Sequence, residues 1–129
     1  MGIAKAQFNS ILTNIFKSGN TIKLFSAMPD ETTETGGVTI GQSYTIASGD
    51  FTVNSGTVTS TKNMMIYLCE TSGGDGTAYG FGIYSGSTLL YFGEFAAAMP
   101  IGYNTVPTIK KYNGAGEGVK VTLTSVDVS

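Results

Sequence analysis

Histidine, tryptophan and arginine are all missing from this chain, and cysteine occurs once, at Cys69. Without His and with a single Cys, neither the usual zinc sites nor a Ser-His-Asp or Cys-His nucleophile can be assembled. Without Arg, bidentate recognition of phosphate or guanine has no donor. The seven positive charges are all Lys and face nine acids, for a net charge of -2, so no nucleic-acid partner is expected. One cysteine forms no internal disulfide; the fold is expected to stand without covalent staples and suits a reducing cytosol. Long apolar runs are lacking too, and nothing approaches the roughly 18 apolar residues of a membrane helix. At the N-terminus Gln7, Asn9, Ser10, Thr13 and Asn14 interrupt the apolar residues, so neither a signal-peptide core nor membrane association is expected.

What remains is rich in Gly, Thr and Ser, with 18 glycines, while 41% of the residues are apolar and 12% are charged. That balance is turn-rich and β-prone, and it speaks against a helical bundle, which needs far more Glu, Lys, Ala and Leu. A length of 129 residues encloses one hydrophobic core and not two. The reading is a single domain over residues 1–129, all-β, an antiparallel β-sandwich of Ig-like or jelly-roll-like type over 20–129 with a short N-terminal α-helix within 1–19.

The helix is carried by Ala4, Phe8, Ile11, Leu12, Ile15 and Phe16, which recur at three- and four-residue steps; Lys17 lies in the last turn and Gly19 stops it. The spacing predicts a helix over 4–17. Its stripe of Phe8, Ile11, Leu12, Ile15 and Phe16 is the candidate interaction surface, serving either as a lid on the sheet or as a face that docks on a neighbouring subunit.

Beyond Gly19 the pattern changes to short β-like runs at intervals near ten residues, parted by Gly, Pro, Asn, Asp and Ser. Runs are read at 21–28, 38–40, 44–46, 51–54 and 57–61, and the acidic stretch 30–37 has nothing apolar to bury and reads as an exposed loop. The nearly continuous apolar segment 64–70 predicts a central strand buried on both faces. Residues 77–84 and 88–95 flank Ser85-Gly86-Ser87 and form the best hairpin, with Gly80 and Gly82 on a face that another backbone or side chain can approach closely. Residues 96–100 read as a connection. Residues 105–112 and 119–126 are expected to pair as the closing hairpin across Asn113-Gly114. The predicted core contains Phe25, Ile66, Leu68, Phe81, Ile83, Leu90, Val121 and Leu123.

Candidate chemistry is sparse. Glu70 and Glu94 are the pair to weigh as a glycosidase acid and base, without Trp to line a sugar site or Arg to steady charge. Gly73-Gly74-Asp75-Gly76-Thr77 lacks the Lys and the following helix of a phosphate loop, and it offers one carboxylate where calcium needs several. The acidic loop with Asp30, Glu31 and Glu34 is the better place for weak calcium binding. Cys69 reads as a buried, unreactive thiol. No catalytic residue, metal or cofactor is expected.

Three pieces in order carry a resemblance: Ile22-Lys23-Leu24-Phe25-Ser26 followed by the acidic loop ending in Gly36-Gly37; then Thr77-Ala78-Tyr79-Gly80-Phe81-Gly82-Ile83-Tyr84; then Leu89-Leu90-Tyr91-Phe92-Gly93. Over residues 8–126 the chain resembles a family of small tailed-bacteriophage virion proteins, often called tail fibre proteins. It departs from that pattern at Lys110-Lys111-Tyr112-Asn113-Gly114. The resemblance implies a non-enzymatic structural protein located on the virion and made in the host cytoplasm. It implies a capsid-decorating or cementing role, or a head or tail fibre subunit. Its partners are then itself, as a homo-oligomer such as a trimer, and other virion proteins such as the major capsid protein. The other reading, a host-surface glycan or receptor-binding module, uses tyrosine-bearing segments at Tyr79, Tyr84, Tyr91 and Tyr103.

Overall fold

The computed structural model describes residues 4–123. One helix, α1 (Lys5–Ile15), is followed by nine strands: β1 (Thr21–Ala27), β2 (Val38–Thr45), β3 (Phe51–Asn54), β4 (Thr57–Ser60), β5 (Met64–Met65), β6 (Gly76–Ser85), β7 (Thr88–Ile101), β8 (Thr108–Ile109) and β9 (Lys120–Thr122). They form a four-stranded sheet in the order β2-β1-β6-β7, a three-stranded sheet β3-β4-β9 and a two-stranded ribbon β5-β8. Every pairing is antiparallel. The chain is therefore an all-β, sandwich-like fold with a short N-terminal helix.

The helix ends where the sequence places its stop signals. Gly19 turns the chain at φ 94°, and the buried Asn20 reaches back, its Nδ2 donating to the carbonyls of Asn14 at 3.1 Å and Ile15 at 2.9 Å. Those two oxygens have no partner within the helix, so Asn20 acts as its C-terminal cap. At the other end Asn9 Oδ1 accepts from the Gly56 amide at 2.7 Å, which fixes the helix over the β3–β4 turn. Phe8, Leu12 and Phe16 point inward; Phe16 meets Phe51 edge-on at 4.8 Å and Tyr91 at 5.5 Å between ring centroids.

The main sheet is organised by β6. Phe81 and Ile83 enter the core beside Ile22 and Leu24, while Gly80 and Gly82 face the opposite side. There the ring of Phe25 fills the space where a Cβ on Gly82 would stand, and Met28 does the same at Gly80. Phe25 is thus buried outside the main core, under a second, smaller cluster with Tyr84 and Leu89. The β6–β7 hairpin closes through Gly86 and Ser87, with Ser85 paired to Thr88.

Five expectations need correction. Residues 38–40 and 44–46 are one strand, β2, because Gly41 at φ 71° absorbs extra residues against β1 without breaking the ladder. Residues 96–100 are not a connection: β7 runs on to Ile101, with a bulge over 95–98 opposite Tyr79. Leu90 is the unpaired residue of a second register shift and is 38% exposed rather than in the core. Segment 64–70 is a strand only at Met64–Met65; beyond it the backbone pairs loosely with the chain around Pro107, and Leu68 is 44% exposed. Finally, β8 and β9 do not pair with each other. Ser60 stands between them: its Oγ donates to the Lys110 carbonyl and accepts from the Val119 amide, both at 2.9 Å. Its backbone meanwhile accepts from the Tyr112 amide and donates to the Val119 carbonyl. The part of the expected closing strand beyond Leu123 lies outside the described residues.

Candidate functional site

The five residues of the helix stripe divide. Phe8, Leu12 and Phe16 are buried within the chain, Ile15 is half-buried, and Ile11 is 43% exposed. The face that is apolar in sequence is therefore largely spent on the chain's own sheets.

Two other surfaces stand out. The first is the outer face of the ribbon formed by residues 64–70 and 103–109. Its backbone is held by amide-to-carbonyl bonds from Ile66 to Pro107 at 2.9 Å, Cys69 to Thr105 at 2.9 Å and Asn104 to Cys69 at 2.8 Å. Met64, Ile66, Tyr67, Cys69 and Ile109 face the core, which leaves Met65 at 66%, Leu68 at 44%, Tyr103 at 62% and Val106 at 40% exposure on the outside. Four exposed large apolar side chains thus lie on two hydrogen-bonded segments, a local concentration of the kind that marks interaction surfaces. The sequence carries a signal for this irregular pairing in the segment opposite 64–70. Pro107 has no amide to donate, and Gly102 and Asn104 mark a turn, so the partner of 64–70 had to be short and irregular.

The second surface is a cleft of about 590 Å³ between β7 and the stretch from Thr108 to Val121. Phe81, Tyr91 and Phe95 form its aromatic side, with Phe81 lying 5.9 Å from each of the other two rings. Burial pushes the Tyr91 hydroxyl above its ordinary pKa. Along the rim Lys110 Nζ bonds Glu117 Oε2 at 2.6 Å, and Asn113 Nδ2 donates to Glu117 Oε1 at 2.8 Å. The hydrogen bond and charge of Lys110 hold the Glu117 carboxyl below the usual range. Lys120 lies 5.6 Å from the ring centre of Tyr112.

The groups weighed for chemistry have other employment. Glu70 and Glu94 are exposed. Asp75, in the glycine-rich turn, accepts from the Tyr67 hydroxyl at 2.6 Å. Hydrogen bonds from Thr71 and Tyr67 keep its carboxyl below the usual range, while burial and then Asp75 raise the Tyr67 hydroxyl. Buried Asp50 likewise accepts from the Tyr44 hydroxyl at 2.7 Å and the Ala47 amide at 2.8 Å. Burial and Asp50 push Tyr44 up to about 12. In the acidic loop Asp30 Oδ1 is taken up by the amides of Thr32 and Thr33, whose bonds lower its pKa. Among the described residues no three His, Cys, Asp or Glu side chains gather in a metal-binding arrangement. Of the four tyrosines, Tyr79 and Tyr103 are exposed, while Tyr84 and Tyr91 lie on opposite faces of the main sheet. Compared with family models, curated proteins and solved structures, the chain matches none.

Proposed function

We propose that this chain is a non-enzymatic structural protein of a bacteriophage virion, which decorates or cements the capsid or forms a head or tail fibre subunit. It assembles with copies of itself and with other virion proteins such as the major capsid protein. The observation that carries the reading is the bare apolar face of the 64–70 and 103–109 ribbon, where Met65, Leu68, Tyr103 and Val106 stand in solvent on an otherwise hydrogen-bonded scaffold. Such a face is stabilised when another protein covers it. Low charge supports the same conclusion, since a chain with 12% charged residues gives up little hydration on contact. The order of the strand motifs, which resembles small phage virion proteins, supplies the kind of assembly.

Electron microscopy of native virions, with the chain labelled by an antibody, tests the proposal. Label in a regular array on head or tail is the expected result; virions devoid of label, with the chain left among soluble proteins, overturn it. A double substitution Met65→Glu and Leu68→Glu is expected to leave folding intact and to abolish incorporation.

A further inference from the structure

Among the described residues the main sheet has β2 at one edge and β7 at the other, and β2 carries none of the usual defences against pairing. Neither lysine nor proline lies in β2, whereas β7 carries Glu94 as its charged residue and Pro100 next to its end. Natural edge strands that must stay unpaired are usually blunted with lysine, proline or a cover. In β7 the bulge over 95–98 and Pro100 provide some of this, and the same residues line the cleft.

Charge is distributed in the same sense. From Leu24 to Thr61 the chain has no lysine at all, and the loop leading into β2 holds Asp30, Glu31 and Glu34, all exposed. The cleft is lined by Lys110 and Lys120, with Lys111 next to Lys110 in the chain, and by two carboxylates, Glu94 and Glu117, of which Glu117 is engaged by Lys110.

Register brings the two together. Thr39 pairs with Phe25, Phe25 with Gly80, and Gly80 with Glu94, so these four residues form one row across the sheet. Tyr44, Ile22, Ile83 and Tyr91 form another. In β2 the chain beyond the Thr39 row is the acidic loop; in β7 the chain beyond the Glu94 row is the stretch from Phe95 to Pro100 that lines the cleft. Because β2 and β7 run in opposite directions, a β2 edge laid on a β7 edge with the rows continued makes an antiparallel pair. It sets the acidic loop level with the lysine-flanked cleft, and Val38, 52% exposed, against the apolar lining.

We propose that copies of this chain join head to tail: the β2 edge of one copy pairs with the β7 edge of the next, and its Asp30, Glu31 and Glu34 loop seats against Lys111 and Lys120. The occupant of the cleft is thus a second copy, bound by main-chain pairing and opposite charge. The contact uses two different surfaces, so its repetition closes a ring or extends a filament. This inference rests on the structural-subunit reading above and names the surface through which copies meet.

The test is sedimentation of the full chain over a concentration series at about 0.05 M and about 0.5 M salt, where screening differs severalfold. Two variants accompany it, Glu31→Lys with Glu34→Lys, and Lys111→Glu with Lys120→Glu; all four side chains are exposed, and matching melting curves check that both variants fold. The wild type is expected to assemble more weakly at high salt. Each variant alone is expected to lose at least about tenfold in affinity, and an equimolar mixture to recover assembly, because each then offers the charge the other lacks. Wild-type assembly that is indifferent to salt, or variants that assemble as the wild type does, overturns the edge contact and leaves the structural reading standing. A wild type that stays monomeric at low salt also overturns the edge contact, and the labelled virions then decide the structural reading separately.

Discussion

Strand β6 and segment 64–70 look alike as sequence, short apolar runs ended by polar turns, and they finish in opposite situations. In β6 the middle residues Gly80, Phe81, Gly82 and Ile83 are all buried, because Phe25 and Met28 cover one face while the core covers the other. In 64–70 burial is interrupted: Met64, Ile66, Tyr67 and Cys69 face inward, and Met65 and Leu68 face water. The lesson is that apolarity reports how much surface wants covering, not whether this chain supplies the cover. Strand β6 is completed within the molecule; the ribbon keeps Met65 and Leu68 in solvent.

The contrast is broken most forcefully at Ile83. Replacing it by Ala is expected to cost about 2–5 kcal/mol, since a fully buried side chain leaves a cavity between β1, β7 and the core, and urea unfolding measures the loss. Asn20→Ala comes next, at about 1–3 kcal/mol, because two helix-end carbonyls lose their donor in a buried place; thermal melting followed by circular dichroism reads it. Tyr44 sharpens the picture through pH. Its folded pKa, about 12, lies above the ordinary tyrosine value of 10.0, so the stability it lends is complete below pH 10.0 and disappears as pH rises toward 12. The melting temperature of Tyr44→Phe is therefore expected to fall less than that of the wild type over that window. The smallest effect belongs to Leu68→Ala, within about 0.5 kcal/mol of the wild type in the isolated chain, whereas a loss like that of Ile83→Ala places Leu68 in the core after all.

Most of the fold was legible because its strongest local signals are also its tertiary ones. The helix period of Phe8, Leu12 and Phe16, the stop at Gly19, the hairpin around Gly86 and the glycine face of β6 all encode contacts that the chain makes with itself. What escaped depends on distant residues. Ser60 parts two strands that local alternation suggests are paired, and nothing near Lys110 or Val119 announces it. The length of β7 escaped because Ala96, Ala97 and Ala98 have weak strand preference and sit in a bulge. The ribbon face escaped for the same reason as Leu68: a hydrophobic run reads as interior, whereas part of this one faces solvent. The cleft, built from three separate stretches of chain, has no local signature at all.

The central claim is that the ribbon's outer face is completed by a partner, and oxidative footprinting tests it most directly. Met65, Tyr103 and the helix residue Ile11 are exposed in the isolated chain and are expected to be modified readily by hydroxyl radicals. On native virions the account predicts strong protection of Met65 and Tyr103. If Met65 and Tyr103 are modified equally on the virion and in the free chain, the ribbon is not the covered face, and the account is contradicted.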